Sequence, residues 1–235
     1  FIEQCKESVW KYKGMWEDFS HTVGFWADMK NPYVTYHNDY IESEWWALKE
    51  IWKKGLLYEG HKIVPYCPRC GTPLSSHEVA QGYKDVKERS AVVRFKVKGE
   101  DAYILAWTTT PWTLPSNVAL CVNPDEDYVK VTSKGYTYYM AAALVDTVLG
   151  EGAEILEHYQ GKDLEFKEYE PLFPYAEKRI GNKKAYYVVC DTYVTLTDGT
   201  GVVHIAPAFG EDDSKVGHRY DLPFVQLVNE KGEMT

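Results

Sequence analysis

The sequence predicts an α+β fold: a helical segment, then a partial zinc-ribbon-like knuckle, then an antiparallel, β-barrel-like domain with peripheral helices. Three observations predict it. Apolar residues recur at helical spacing up to about residue 60. A turn-rich stretch with a close cysteine pair follows. From Ser90 onward, short β-branched and aromatic runs dominate, unevenly spaced and interrupted by one helical stretch. The expected organisation is a helical segment over 1–60, a CxxC connector over 61–88 and the β-rich domain over 89–235.

The first helix is expected around Cys5–Phe19, where Cys5, Val9, Tyr12, Met15, Trp16 and Phe19 share a face. Asn31-Pro32 breaks the pattern. A second helix follows, with Asp39 and Glu42 spaced as a capping box, Ile41, Trp45, Leu48, Ile51 and Trp52 as its apolar face, and Gly55 as its stop. Between 61 and 88, Pro65, Pro68, Gly71 and Pro73 leave little room for helix. Strands are expected at Ala91–Val97 and Tyr103–Thr109. Tyr128–Thr132 and Tyr136–Met140 read as a hairpin around Ser133-Lys134-Gly135. A short helix over Ala141–Leu149 ends at Gly150, and strands at Tyr186–Cys190 and Gly201–Ala206 complete the set.

Composition narrows the function. The 235 residues carry a net charge of −9, which argues against nucleic-acid binding through a broad basic surface. No apolar run approaches the length of a membrane span, and no signal-peptide pattern opens the chain. The first residue is Phe, which reads as a piece of a longer protein. Five cysteines, an odd count without a secretory signal, read as a reducing, cytoplasmic setting. Eight Trp and 19 Tyr suit a β-rich body or a recognition surface.

Three segments carry chemistry. Cys67-Pro68-Arg69-Cys70-Gly71 is a CxxC knuckle, which can hold a tetrahedral zinc from one side. It reads as a half-site lacking its second pair, as a site completed by His77, or as a pair without metal. The run Trp107–Asn117 ends a strand with Thr108, Thr109 and Thr110, and Pro111 and Pro115 then stop regular pairing. Its hydroxyls can hold a ribose, a carbonyl or a water, or they are merely a satisfied strand edge. The run Asp198–Asp213 places His204 on a short strand and ends in Glu211, Asp212 and Asp213, which can open a helix or hold a cation.

In this order, the segments Tyr66–Ser75, Trp107–Asn117 and Gly199–Asp213 resemble the isoleucyl-tRNA synthetases. The likeness is to the editing domain inserted in their catalytic domain (connective peptide 1). Phe25-Trp26, Tyr36–Ser43 and Trp45-Trp46 resemble the stretch leading into that insertion, so the likeness covers essentially the whole chain. Valyl and leucyl relatives share the threonine motif and the last acid but differ around His204. The HIGH-type and KMSKS-type signatures that bind ATP in such enzymes are not in these residues, which implies that ATP is used only by the parent enzyme.

The resemblance implies hydrolysis of valine misattached to the 3′ end of tRNA(Ile), and of valyl-adenylate, by a positioned water without a cofactor. A pocket for isoleucine discriminates against valine by one methylene, about 1–3 kcal/mol, this pair being the known instance of that limit, so a second sieve is needed. By resemblance, Asp213 binds the substrate ammonium, and Thr109 and Thr110 lie near the ester and ribose with Thr108 close by. Trp107, Trp112 and Ala206 shape the pocket, Asn117 serves editing, and His204 excludes isoleucine by bulk. Cys67 and Cys70 are the metal ligands. The implied partners are the tRNA end and the rest of a longer synthetase, with no membrane and a monomeric chain. The rivals are a valyl or leucyl editing domain and a zinc-ribbon tRNA-binding module without hydrolysis.

Overall fold

A computed structural model describes residues 1–235. The chain divides into two compact units, Phe1–His61 and Lys62–Thr235.

The first unit is two helices, α1 (Ile2–Thr22) and α2 (Asn38–Lys53). The expected capping box of α2 does not form. His37 is the N-cap and contributes no side-chain bond, while Asp39 lies inside the first turn, where its charge faces the positive helix end. Neither helix buries a residue, and Trp45, Trp46 and Trp52 stay exposed. No helix in the chain is long and apolar enough to cross a membrane.

The second unit opens with β1 (Tyr66–Cys67) and β2 (Thr72–Pro73), a two-residue antiparallel ladder around the cysteine pair. The capping box of the chain's short third helix, α3 (Ser76–Gln81), sits at Ser75 and Glu78, each side chain bonding the other's backbone N–H. An eight-stranded sheet follows: β3 (Ala91–Lys96), β4 (Tyr103–Thr108), β5 (Ala119–Val122), β6 (Asp127–Ser133), β7 (Tyr136–Ala141), β8 (Glu154–Gln160), β9 (Tyr187–Cys190) and β10 (Val202–Ile205). Helix α4 (Val145–Leu149) follows β7 and ends at Gly150, and α5 (Glu211–Arg219) follows β10.

The sheet corrects the antiparallel barrel expected from sequence. Its order is β8-β6-β7-β4-β10-β5-β9, with β3 on β4, so the path has two ends and forms a half-barrel. Pairs β10–β4, β4–β7 and β5–β9 are parallel. A strand has only two hydrogen-bonding edges. Strand β3 covers one edge of β4 along its length, so β7 and β10 share the other: β7 takes Tyr103 and Ile104, and β10 takes Trp107.

Two apolar clusters pack on the sheet. One gathers Phe95, Ile104, Leu120, Val122, Tyr128 and Met140. The other gathers Ala119, Cys121, Val189, Ile205 and Val216. Successive residues of β5 alternate between the two clusters, so that strand is buried on both faces. It reads as a continuous apolar run and has no alternation to reveal it. Strand β8 went unread for the opposite reason: it pairs only with β6, and most of its residues are exposed.

Glu100 ties three elements together. Its carboxylate accepts from Lys130 Nζ at 3.0 Å, Lys167 Nζ at 2.8 Å and Tyr139 Oη at 3.0 Å. Desolvation works to raise its pKa, but these bonds outweigh it and hold the group at about 2. A folded pKa below the unfolded value adds stability above about pH 4.5, and that stability is lost as pH falls through about 2. Glu100→Gln is therefore expected to be less stable than the parent at pH 7, with the gap closing between those two pH values. Urea midpoints across this range test it; a gap independent of pH would refute the assignment.

Candidate active site

The parallel pairing of Val203 with Trp107 places two of the three singled-out segments side by side. Paired residues share a face, so Trp107 goes with Val203, and the residues one step on, Thr108 and His204, lie together on the other face. Strand β4 stops at Thr108. Pro111 then starts a 3-10 turn over Pro111–Ser116.

The threonines divide by burial. Thr108 is buried, and its Oγ1 accepts from the Thr110 N–H at 3.0 Å, closing the end of the strand. Thr109 and Thr110 are exposed. Thr113, not singled out from sequence, is buried, and its hydroxyl donates to the Thr110 carbonyl at 2.8 Å.

That bond decides the state of His204. Thr113 Oγ1 also lies 3.0 Å from His204 Nε2. A hydroxyl has one proton, and here the Thr110 carbonyl takes it, so Nε2 must be the N–H donor to Oγ1. Nδ1 is then an unprotonated acceptor, buried and without a partner. Burial alone pushes the imidazole down to about 4, so it is neutral at pH 7. The signal for Thr113 was present: a threonine three residues after Thr110 can bond back to that carbonyl.

Asp213 meets the end of β10 from α5. Glu211, Asp212 and Asp213 do open that helix, as the charge pattern predicted. Asp213 folds back so that its Oδ2 accepts from the Ala206 N–H at 2.9 Å, tying the helix start to the end of β10. Gly210 permits this: a Cβ there would lie 2.9 Å from the Asp213 carboxyl carbon. Desolvation raises Asp213 to about 6, against the pull of the Ala206 N–H, with Asp212 adding repulsion.

The remaining expected residues take other positions. Asn117 is buried with both ends of its amide engaged. Its Nδ2 donates to the Ala119 carbonyl at 2.8 Å, and its Oδ1 accepts from Tyr169 Oη at 2.7 Å. It braces the entry to β5. Trp107 is half-buried and walls a cavity of about 240 Å³ with Tyr193, Asp198 and Val203. Gly199 rests on its indole, where a Cβ would come within 2.9 Å. Trp112 is 61% exposed on the 3-10 turn.

The zinc-ribbon expectation meets a shortfall of ligands. A structural zinc takes four. Cys67 and Cys70 supply two, and His77 bonds Gln81 instead, Nε2 to Nε2 at 2.7 Å. No group of three or more His, Cys, Asp or Glu side chains that could hold a metal forms. The thiols do interact: Cys67 is lowered by the Cys70 backbone N–H and thiol, and Cys70 is raised by Cys67. Within these residues Cys67 and Cys70 therefore supply two of the four ligands.

Residues 1–203 match the family model described as tRNA synthetases class I (I, L, M and V). The isoleucine–tRNA ligase of Clostridium acetobutylicum is 61% identical over 99% of this chain and 22% of its own length. That of Bacillus thuringiensis is 52% identical over 100% of this chain and 22% of its own. The chain thus spans about a fifth of these relatives. Among solved structures, the Plasmodium knowlesi (P. knowlesi) cytosolic leucyl-tRNA synthetase editing domain is 15% identical, with a TM-score of 0.45, covering 60% of this chain and 66% of that one.

A carboxylate raised by burial lowers stability at neutral pH. The folded state holds its proton more tightly than the unfolded state, so stability falls as pH rises from about 3.8 to about 6. Asp213→Asn keeps an acceptor for the Ala206 N–H and removes the buried charge. It is expected to raise stability at pH 7.5 by about 1–3 kcal/mol and to flatten that pH dependence. Denaturant midpoints of both proteins decide it; an Asn variant less stable at neutral pH would refute this reading.

Proposed function

Because this chain belongs to the class I tRNA synthetases of the I, L, M and V group, we propose that its second unit hydrolyses a mischarged aminoacyl ester, valine on tRNA(Ile), for a longer isoleucyl enzyme. The observation that carries this is Asp213: a carboxylate strapped by one oxygen to the end of β10, two residues after His204, and made unfavourable by desolvation. Such a group gains most from a cation, and the α-ammonium of an aminoacyl ester is one.

The other residues follow from that anchor. The exposed Thr109 and Thr110 offer hydroxyls to the ester and the terminal ribose. His204 is neutral, so it adds bulk without a competing positive charge, and Thr113 fixes its ring. A ring held this way stands against the extra methylene of isoleucine. Water adds to the ester carbonyl, the ribose oxygen leaves with a proton, and free valine departs; no covalent enzyme intermediate is required. Asn117 and Ala206 act as positioning groups, one for the turn and one for Asp213. Valyl-adenylate has the same ammonium and is a second substrate of the same chemistry. The identity to isoleucine–tRNA ligases favours this specificity over a valyl or leucyl one. The partners are the tRNA 3′ end and the remainder of the synthetase, which alone uses ATP. One copy of the chain in the cytoplasm suffices.

Val-tRNA(Ile) and Ile-tRNA(Ile), incubated in parallel with the protein, test the reading. The valyl ester should disappear and the isoleucyl ester persist. Asp213→Ala should slow valyl hydrolysis by roughly a hundredfold, and normal turnover by that variant would sink the assignment. His204→Ala should release isoleucine as well.

The pH profile is a separate check. The free carboxylate must ionise to hold the ammonium, so kcat/KM should rise as pH passes about 6. The ammonium then favours ionisation, so the kcat profile should sit at lower pH.

A further inference from the structure

One surface lies outside the chemistry described above. Residues 173–184 carry Lys178, Arg179, Lys183 and Lys184 against a single acid, Glu177, in a chain of net charge −9. Two of the cations are neutralised locally: Lys183 pairs with Asp221 at 2.7 Å and Lys184 with Glu168 at 3.1 Å. Lys178 and Arg179 are exposed. No carboxylate pairs with Lys178, and Arg179 bonds only the Gln226 backbone carbonyl, so both keep their charge. Beside them, Phe173 and Tyr175 stack on each other, with ring centroids 5.7 Å apart and planes inclined by 16°. Tyr175 is 61% exposed.

Tyr175, Lys178 and Arg179 border a cleft of about 890 Å³, whose lining also includes Pro115, Leu227 and the one acid of the segment, Glu177. Pro115 belongs to the 3-10 turn that carries Thr113. Two residues of chain span at most about 7 Å, so the cleft adjoins the wall of the candidate active site.

We propose that the Phe173–Tyr175 stack, with Lys178 and Arg179, is a platform for the single-stranded 3′ end of an RNA. The inference rests on the ester-hydrolase reading for its choice of partner. An ester delivered on an RNA end brings unpaired nucleotides past the rim of the site. Exposed ring faces stack bases without regard to sequence, and unpaired cations beside them take the phosphates. An acidic chain has little general hold on RNA, so such contacts must be local.

A fluorescein-labelled single-stranded RNA ending in CCA, uncharged, is the probe, titrated by anisotropy over about 50–300 mM salt. Lys178→Ala with Arg179→Ala should weaken binding and reduce the salt slope by about 1.4, two cations at about 0.7 each. Phe173→Ala with Tyr175→Ala should weaken binding at least fivefold at every salt, about one lost base stack, with the slope unchanged. Phe173→Tyr with Tyr175→Phe should restore it. Ring variants that bind RNA like the parent would overturn the proposal. So would polyglutamate displacing the probe as well as unlabelled RNA does, since an acidic protein partner would then fit equally. Hydrolysis of a valyl ester of adenosine, which has no strand, separates the two readings. Loss of strand binding with that hydrolysis intact supports the platform. Strand binding lost by the variants of a chain that cleaves no ester keeps the platform and refutes the hydrolase. Cleavage by the parent with strand binding unmoved in every variant does the reverse.

Discussion

The parallel contact between β10 and the end of β4 is the constraint on which the site depends. It exists because β7 releases the edge of β4 after Ile104, leaving Trp107 for Val203. One register step then sets Thr108 beside His204 and directs the chain after β10 towards α5. Shifting that register by a single residue would turn His204 to the opposite face and bring Val203 to the threonines. The Thr113–His204 bond fastens the same register from the side of the turn.

Around this contact two polar groups are held short of partners or of solvent. His204 Nδ1 is buried without a donor, and Asp213 is a carboxylate short of solvent. Leaving a buried polar atom unpaired costs about 1–3 kcal/mol. Glu100 is the contrast. It is an acid with three donors, its pKa is depressed, and its work is purely structural. The two carboxylates of this unit thus shift in opposite directions, Glu100 by gaining donors and Asp213 by losing solvent.

Local chemistry made much of the fold legible. The β6–β7 hairpin was readable because Gly135 suits a turn needing positive φ; Lys134 is carried into the same region, the two lying at 82° and 52°. Helix α2 was readable from Ile41 to Trp52. The parallel pairings were not, because they join strands far apart in sequence and leave no local trace. That is why an antiparallel barrel was expected. Strand β5 was hidden by burial on both faces, and the α2 capping box failed because Asp39 fell inside the helix rather than at its cap. In the site, Thr108 and Thr110 are linked to His204 through Thr113, and Asp213 is bonded to the Ala206 N–H. Thr113 lies outside the threonine run, and its importance depends on a histidine distant in sequence. Asn117 looked like a ligand-facing amide and proves to be fully engaged inside.

The double-sided burial of β5 has a consequence in time. Its amides have a cluster above and a cluster below, with β10 and β9 on either edge. Such amides exchange with solvent only when the whole unit opens, whereas those of the edge strand β8 can exchange through local fraying. The strand bracing His204 therefore sits among the slowest-exchanging parts of the molecule. The proposed size filter needs that persistence: a wall that breathed by the width of a methylene would no longer tell one aliphatic side chain from the next.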